Sequence, residues 1–225
     1  PNIPEKELLN RLDRLVNEAV ANRLVSDVPN GTFLNGGIDS SIVSAVASKH
    51  STNQLKTFTI GFEHERHNEA DYARKIAEYL DTNHVELVAT EKDALDLFPE
   101  MILQYDEPFA DTSAVPTMLV SKLAKEHVTV TLSGDGGDEC FMGYGAHIWA
   151  QRMSNPLLRR NAAFIRMILN SGGAKYKRAA NHFQKSTDQV SHIFSQEQYL
   201  YSQIELRKLL TFSFSQFQHA KNNKL

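Results

Sequence analysis

Between Thr32 and Leu132 the chain alternates short β-rich apolar runs with helical stretches, and this rhythm limits its fold more than any other feature. Thr32–Leu34, Leu55–Phe62, His84–Val88 and Val128–Leu132 read as strands. Residues 5–24, Ser40–Lys49, Glu69–Leu80, Glu91–Tyr105 and Val115–Lys125 carry apolar side chains at helical spacing. Strands separated by helices need crossover connections, and crossovers produce a parallel sheet. The expected fold class is therefore α/β, a parallel sheet with flanking helices. From about Gln151 strand signals cease, and helices broken at Asn155-Pro156 and Ser171-Gly172-Gly173 are expected. The domain expectation is an α/β core over 1–150 and a helical extension of the same domain over 151–225.

Two glycine-rich turns directly follow strands, where ligands sit in such sheets. In the first, Phe33-Leu34-Asn35-Gly36-Gly37-Ile38-Asp39-Ser40-Ser41, glycines allow close backbone approach. The free amides and dipole of the following helix start favour a phosphate group. Asp39 would repel a bare phosphate, but it fits if Mg2+, a hard cation with oxygen ligands, lies between them. There is no Walker A pattern and no lysine. The stretch resembles the pyrophosphate-binding loop of N-type ATP pyrophosphatases, S-G-G-x-D-S, with Asn35 in place of the first serine. The second turn, Ser133-Gly134-Asp135-Gly136-Gly137-Asp138-Glu139, gathers three carboxylates that repel one another unless a cation or polar ligand neutralises them.

Composition excludes several classes. The 225 residues, 41% hydrophobic and 23% charged, are ordinary globular values. A net charge of −3 gives no general attraction to nucleic acid. A single cysteine, Cys140, rules out an intrachain disulfide framework, and the simplest location is cytoplasmic. No apolar run approaches membrane-spanning length, so no membrane partner is expected. A chain opening on Pro1 reads as a processed chain or, preferably, as a piece cut from a longer polypeptide. Eight Lys/Arg stand against one acid, Asp188, between 151 and 188; the bland reading is a solvated helical face.

Together the stretches resemble the synthetase domain of the asparagine synthetase family. They are Asp27-Val28-Pro29, the Phe33–Ser41 loop, Thr57–Phe62, Glu69-Ala70-x-Tyr72-Ala73, Asp106–Asp111 with Ser113, and the Ser133–Glu139 loop. The likeness covers about residues 8–150. It implies an adenine-nucleotide α-hydrolase-like fold and a ligase that uses ATP and Mg2+ to turn a carboxylate into an acyl-adenylate, which ammonia then amidates. The acceptor it implies is aspartate. The ammonia would come from glutamine hydrolysed in a glutaminase domain, or another source, outside this chain. A homodimer is one open assembly state.

Position by position, the resemblance implies that backbone amides around Asn35, Gly36, Gly37, Ser40 and Ser41 cradle pyrophosphate. Asp39 and Asp138 would bind Mg2+, and Phe33, Leu34 and Ile60 would line the adenine pocket. Ser133 and Gly134 would lie near the nucleotide, Asp135 near the acceptor or ammonia as a proton acceptor. Glu139 and Tyr144 fall on motif positions as further catalytic candidates. Three departures qualify this. Asn35 is bulkier than serine and is expected to weaken or remodel pyrophosphate binding. Met142-Gly143-Tyr144 stands where the family has Gly-Gly-Tyr. No downstream lysine-containing segment matches, so the chain alone is expected to be incomplete for catalysis. Cys140 is expected to be a buried, inert thiol, Trp149 to be packing, and Asp111-Thr112-Ser113 to cap a helix. A zinc site at His64 and His67 is disfavoured for want of a cysteine cluster. Two alternatives stay open: an amidotransferase for another carboxylate, such as a surface-polysaccharide uronic acid, and a nucleotide-binding module without turnover.

Overall fold

The computed structural model describes residues 3–62, 68–105, 111, 113–153, 155–180 and 183. The expectations for His64, His67, Asp106 and Glu107 lie outside these residues, as does the side chain of Trp149. The chain divides into two compact units, Pro1–Gly137 and Asp138–Leu225.

In the first unit, helix α1 (Glu5–Leu24) leads to strand β1 (Asn30–Phe33) and helix α2 (Ile38–His50). Then come β2 (Lys56–Phe62), α3 (Ala70–Tyr79), β3 (Asn83–Ala89), α4 (Glu91–Gln104), α5 (Ala114–Lys125) and β4 (Val130–Leu132). The four strands form one sheet in the order β3-β2-β1-β4, and every pairing is parallel. The expected α/β class is what is observed. Element boundaries match the sequence reading within a few residues. The last strand is shorter than expected because Val128 still bonds back to α5, its N–H donating to the Ala124 carbonyl at 2.8 Å. Only after Thr129 has bonded to the Pro29 carbonyl does the ladder to β1 begin.

Side-chain alternation along the strands sorts the helices onto two faces. Thr32 and Leu34 point to one face: Thr32 bonds Ser44 of α2, and Leu34 packs with Ala73 and Ala77 of α3. Phe33 and Phe58 point to the other, against Val120, Leu123 and Ala124 of α5 and Val128 just beyond it. Ala89, Leu97 and Leu119 continue that second layer with Ile60 and Phe62. On the first face, Val20 of α1 closes over Val46, Ala47 and Leu55. α4 is fixed at its start by a capping box, in which Thr90 and Asp93 satisfy each other's backbone N–H groups. At α5 it is Asp111, not Ser113, whose side chain acts: its Oδ1 accepts from the Ser113 N–H at 2.8 Å.

The second unit is helical: α6 (Gly137–Phe141, spanning the boundary), α7 (Gly145–Met153), α8 (Pro156–Arg160), α9 (Ala162–Asn170) and α10 (Ala174–Ala180). Both expected breaks occur. Asn155 caps α8 by accepting from the Leu157 N–H at 2.9 Å, and α9 ends before Gly172-Gly173. Among the described residues no helix is long and apolar enough to cross a membrane.

Thr32 and Ser44 are both fully buried, and their hydroxyls lie 2.8 Å apart. Each satisfies the other in a site that water does not reach. Replacing either one alone strands a buried hydroxyl, which costs about 1–3 kcal/mol. Thr32→Val or Ser44→Ala should therefore destabilise the chain by that amount in denaturant unfolding. The double variant should lose distinctly less than the sum.

Candidate functional site

The strand order fixes where a ligand can sit. From β1 the chain moves outward to β2 and β3, then returns to place β4 on the other side of β1. Loops leaving the carboxyl ends of β1 and β4 therefore emerge side by side at the point where the strand order reverses, the usual ligand position in open parallel sheets. Both glycine-rich turns are these two loops.

The first loop starts from a buried anchor. The N–H of Leu34 donates to the Phe58 carbonyl at 2.9 Å, and the side chain is wholly enclosed under α3. What Leu34 can offer a ligand is its backbone. Phe33 and Ile60 are half-buried within the core layers beneath α5 and α4. Gly36 turns with φ +83°, in the left-handed region, and a side chain there would meet Tyr72 Cβ at 2.7 Å. Gly37 then opens α2, and the first helical bond runs from the Ser41 N–H to the Gly37 carbonyl at 3.1 Å. The amides of Ile38, Asp39 and Ser40 precede that bond, so they have no intrahelical partner. The Ser41 hydroxyl also donates to the Gly37 carbonyl. Ser40 is buried, and its hydroxyl donates to Asn35 Oδ1. Asn35 Oδ1 also accepts from the Gly37 N–H at 3.0 Å.

The second loop lies directly against this helix start. A Cβ on Gly134 would stand 2.6 Å from the Ser40 nitrogen, and one on Gly137 would run into the Asp39 carboxylate. At Gly134 the neighbours are backbone atoms and no side chain fits, so the loop backbone touches the first turn of α2; at Gly137 the neighbour is the Asp39 carboxylate. The turn itself closes with the Gly137 N–H donating to the Gly134 carbonyl at 3.2 Å. Ser133, at the end of β4, donates to Asp135 Oδ2 at 2.8 Å, which leaves the exposed Asp135 carboxylate another oxygen to use. Thus Asn35, Gly36, Gly37, Asp39, Ser40, Ser41, Ser133, Gly134 and Asp135 are gathered at one end of the sheet. Gly137 belongs with them as a contact the sequence reading did not single out. Its only sequence signal is its place as the second glycine of the acidic loop.

Asp39 sits half-exposed on the first turn of α2, beneath Gly137. Among the described residues it has no ion-pair partner. No cluster of three or more His, Cys, Asp or Glu able to hold a metal occurs among them either.

The remaining candidates belong to the second unit. Asp138 and Glu139 lie in the first turn of the short α6, a helix the sequence reading treated as loop. The Tyr144 hydroxyl donates to Glu139 Oε1 at 2.6 Å, and the Tyr144 ring stacks on His147 with centroids 5.8 Å apart. That hydrogen bond is the main reason the Glu139 carboxyl is held below its ordinary value. Met142 has φ +59°, a left-handed backbone that a side chain resists, and its side chain is exposed. Cys140 is exposed, which corrects the expectation of a buried thiol: α6 is a single turn that buries none of its residues.

Two outcomes follow for this unit. A depressed carboxyl contributes stability above its unfolded value and loses it as the pH falls through the folded one. Tyr144→Phe should therefore raise the Glu139 pKa back toward the ordinary 4.5, read by NMR titration of the carboxyl. Met142→Gly should relieve the left-handed strain and stabilise the chain by about 0.5–1 kcal/mol in thermal or denaturant unfolding.

The asparagine synthase family matches residues 11–221. A putative glutamine-hydrolysing asparagine synthetase 2 of Methanocaldococcus jannaschii is 40% identical over 169 residues, which is 75% of this chain and 32% of that protein. Glutamine-hydrolysing asparagine synthetase 1 of Bacillus subtilis is 36% identical over 167 residues, 74% of this chain and 26% of that protein. The chain thus spans between about a quarter and a third of the length of these curated relatives. An NH3-dependent NAD synthetase from Campylobacter jejuni overlaps 60% of each chain with a TM-score of 0.43 and 14% identity. Since the family match runs over nearly the whole sequence, this chain belongs to the asparagine synthase family.

Proposed function

We propose that this chain is part of the synthetase domain of a glutamine-dependent asparagine synthetase. In that reaction the side-chain carboxylate of aspartate attacks the α-phosphorus of ATP, forming the aspartyl-adenylate and releasing pyrophosphate. Ammonia then attacks the acyl carbon and AMP leaves. Ammonia would come from glutamine hydrolysed outside this chain. The observation that carries the reading is the clasp at the switch point. There the backbone at Gly134 and Gly137 closes on the first turn of α2, with Asp39 beneath it. A family assignment over residues 11–221 supports the same chemistry.

Within that reading each residue has a task set by its surroundings. The early amides of α2, with the positive end of the helix dipole, would hold the phosphate that leaves as pyrophosphate. Asp39 would hold Mg2+. Bound there, Mg2+ would offset the charge that develops on the polyphosphate. The free oxygen of Asp135 would take a proton from the attacking ammonia. The Tyr144 hydrogen bond keeps Glu139 ionised, so Glu139 would act as a fixed negative charge rather than a proton donor.

Calorimetric titration of the 225-residue chain with Mg-ATP tests this. Binding should require Mg2+, and Asp39→Ala should weaken it at least about tenfold, as loss of a direct metal ligand would. Binding that ignores both EDTA and Asp39→Ala would overturn the assignment. In a longer chain that includes the rest of the protein, aspartate should support pyrophosphate release in preference to other carboxylates.

A further inference from the structure

The side chain of Asn35 occupies the donors that a phosphate would need. Its Oδ1 accepts from the Gly37 N–H at 3.0 Å and from the Ser40 hydroxyl. The orientation of the carboxamide is fixed by chemistry, because the Gly37 N–H can only donate and so must face the oxygen. The Asn35 backbone N–H also reaches the Ser40 hydroxyl oxygen, at 3.4 Å. Ser40 is buried on α2, and its hydroxyl also lies 3.3 Å from the Gly37 carbonyl, a second acceptor. Asn35 itself is exposed, and its carboxamide can leave.

We infer that Asn35 is an internal plug of the phosphate cradle. Its carboxamide oxygen stands in for a phosphate oxygen when no nucleotide is bound and must be displaced before one binds. This rests on the nucleotide-site reading above and adds a regulatory element to it. When a phosphate arrives, the Gly37 N–H and the Ser40 hydroxyl transfer from Asn35 Oδ1 to a phosphate oxygen. The carboxamide turns so that its Nδ2 group, a donor, faces the anion. The cradle thus has a closed and an open arrangement that differ by one side-chain rotation. The plug is neutral, so it competes with phosphate without repelling it. An aspartate at this position would make the same two bonds more strongly and add repulsion.

The test uses the full 225-residue chain as wild type, Asn35→Ala, Asn35→Asp and Asp39→Ala. One readout needs no ligand: exchange of the Gly37 backbone amide by NMR. It should be protected in the wild type and in Asn35→Asp, and should exchange faster in Asn35→Ala. The other readout is calorimetric titration with Mg-ATP. Asn35→Ala should bind about tenfold more tightly than wild type, the scale of one to two net hydrogen bonds, and Asn35→Asp more weakly. Equal Gly37 exchange in wild type and Asn35→Ala would overturn the plug. So would equal Mg-ATP affinity in these two proteins, and if Asp39→Ala still abolished binding the nucleotide site would stand without it. Absence of binding in every variant would overturn the nucleotide-site reading, and the plug with it.

Discussion

Everything at the candidate site depends on β1 being hydrogen-bonded in parallel on both sides. β2 fixes one flank through the Gly31–Lys56 to Phe33–Phe58 register, and β4 the other through Asn30–Val130 to Thr32–Leu132. Because both neighbours run in the same direction, the chain leaves β1 and β4 at the same end of the sheet. Two loops far apart in sequence are brought within contact of each other by backbone pairing alone. The side chains then only have to stay out of the way, which is what Gly134 and Gly137 do.

The helices transmit this order. α2 is wedged between α1 and the sheet, with Val46 and Ala47 in a buried cluster with Val20 of α1 and Leu55. α3 covers the root of the first loop through Ala73, Ala77 and Leu34. The small residues there let α3 approach closely enough that Tyr72 meets Gly36. The loop is therefore supported from below by α3 and covered from the side by the second loop. The exposed side chain within it is that of Asn35.

Much of this was legible in the residues. Alternating β-branched runs and amphipathic stretches specify strands and helices because their periods differ, 2 against 3.6. The result was a parallel sheet with both loops at strand ends. What escaped the sequence reading has local physical causes. Gly136-Gly137-Asp138-Glu139 reads as a turn because glycine is a poor helix former, yet α6 begins there, with its acids in the first turn where the dipole favours them. Within the Asp111-Thr112-Ser113 stretch expected to cap α5, it is Asp111 whose side chain bonds, since Asx and serine caps look alike in a sequence. The inward bond of the Asn35 oxygen could not be foreseen, because a carboxamide can present either a donor or an acceptor. Cys140 was misjudged because a thiol's usual burial says nothing about a helix one turn long.

The buried Thr32–Ser44 hydroxyl pair joins the middle of α2 to the middle of β1. Apolar packing alone tolerates a helix rolling on its bed, since one methyl group serves nearly as well as the next. A hydrogen bond between two short side chains does not. Successive residues on a helix point about 100° apart, so even a fraction of that roll would carry Ser40 and Asp39 off their bearing toward Gly134 and Gly137. The pair acts as an angular key. It converts the position of a helix, which the hydrophobic core sets loosely, into the aim of its first turn.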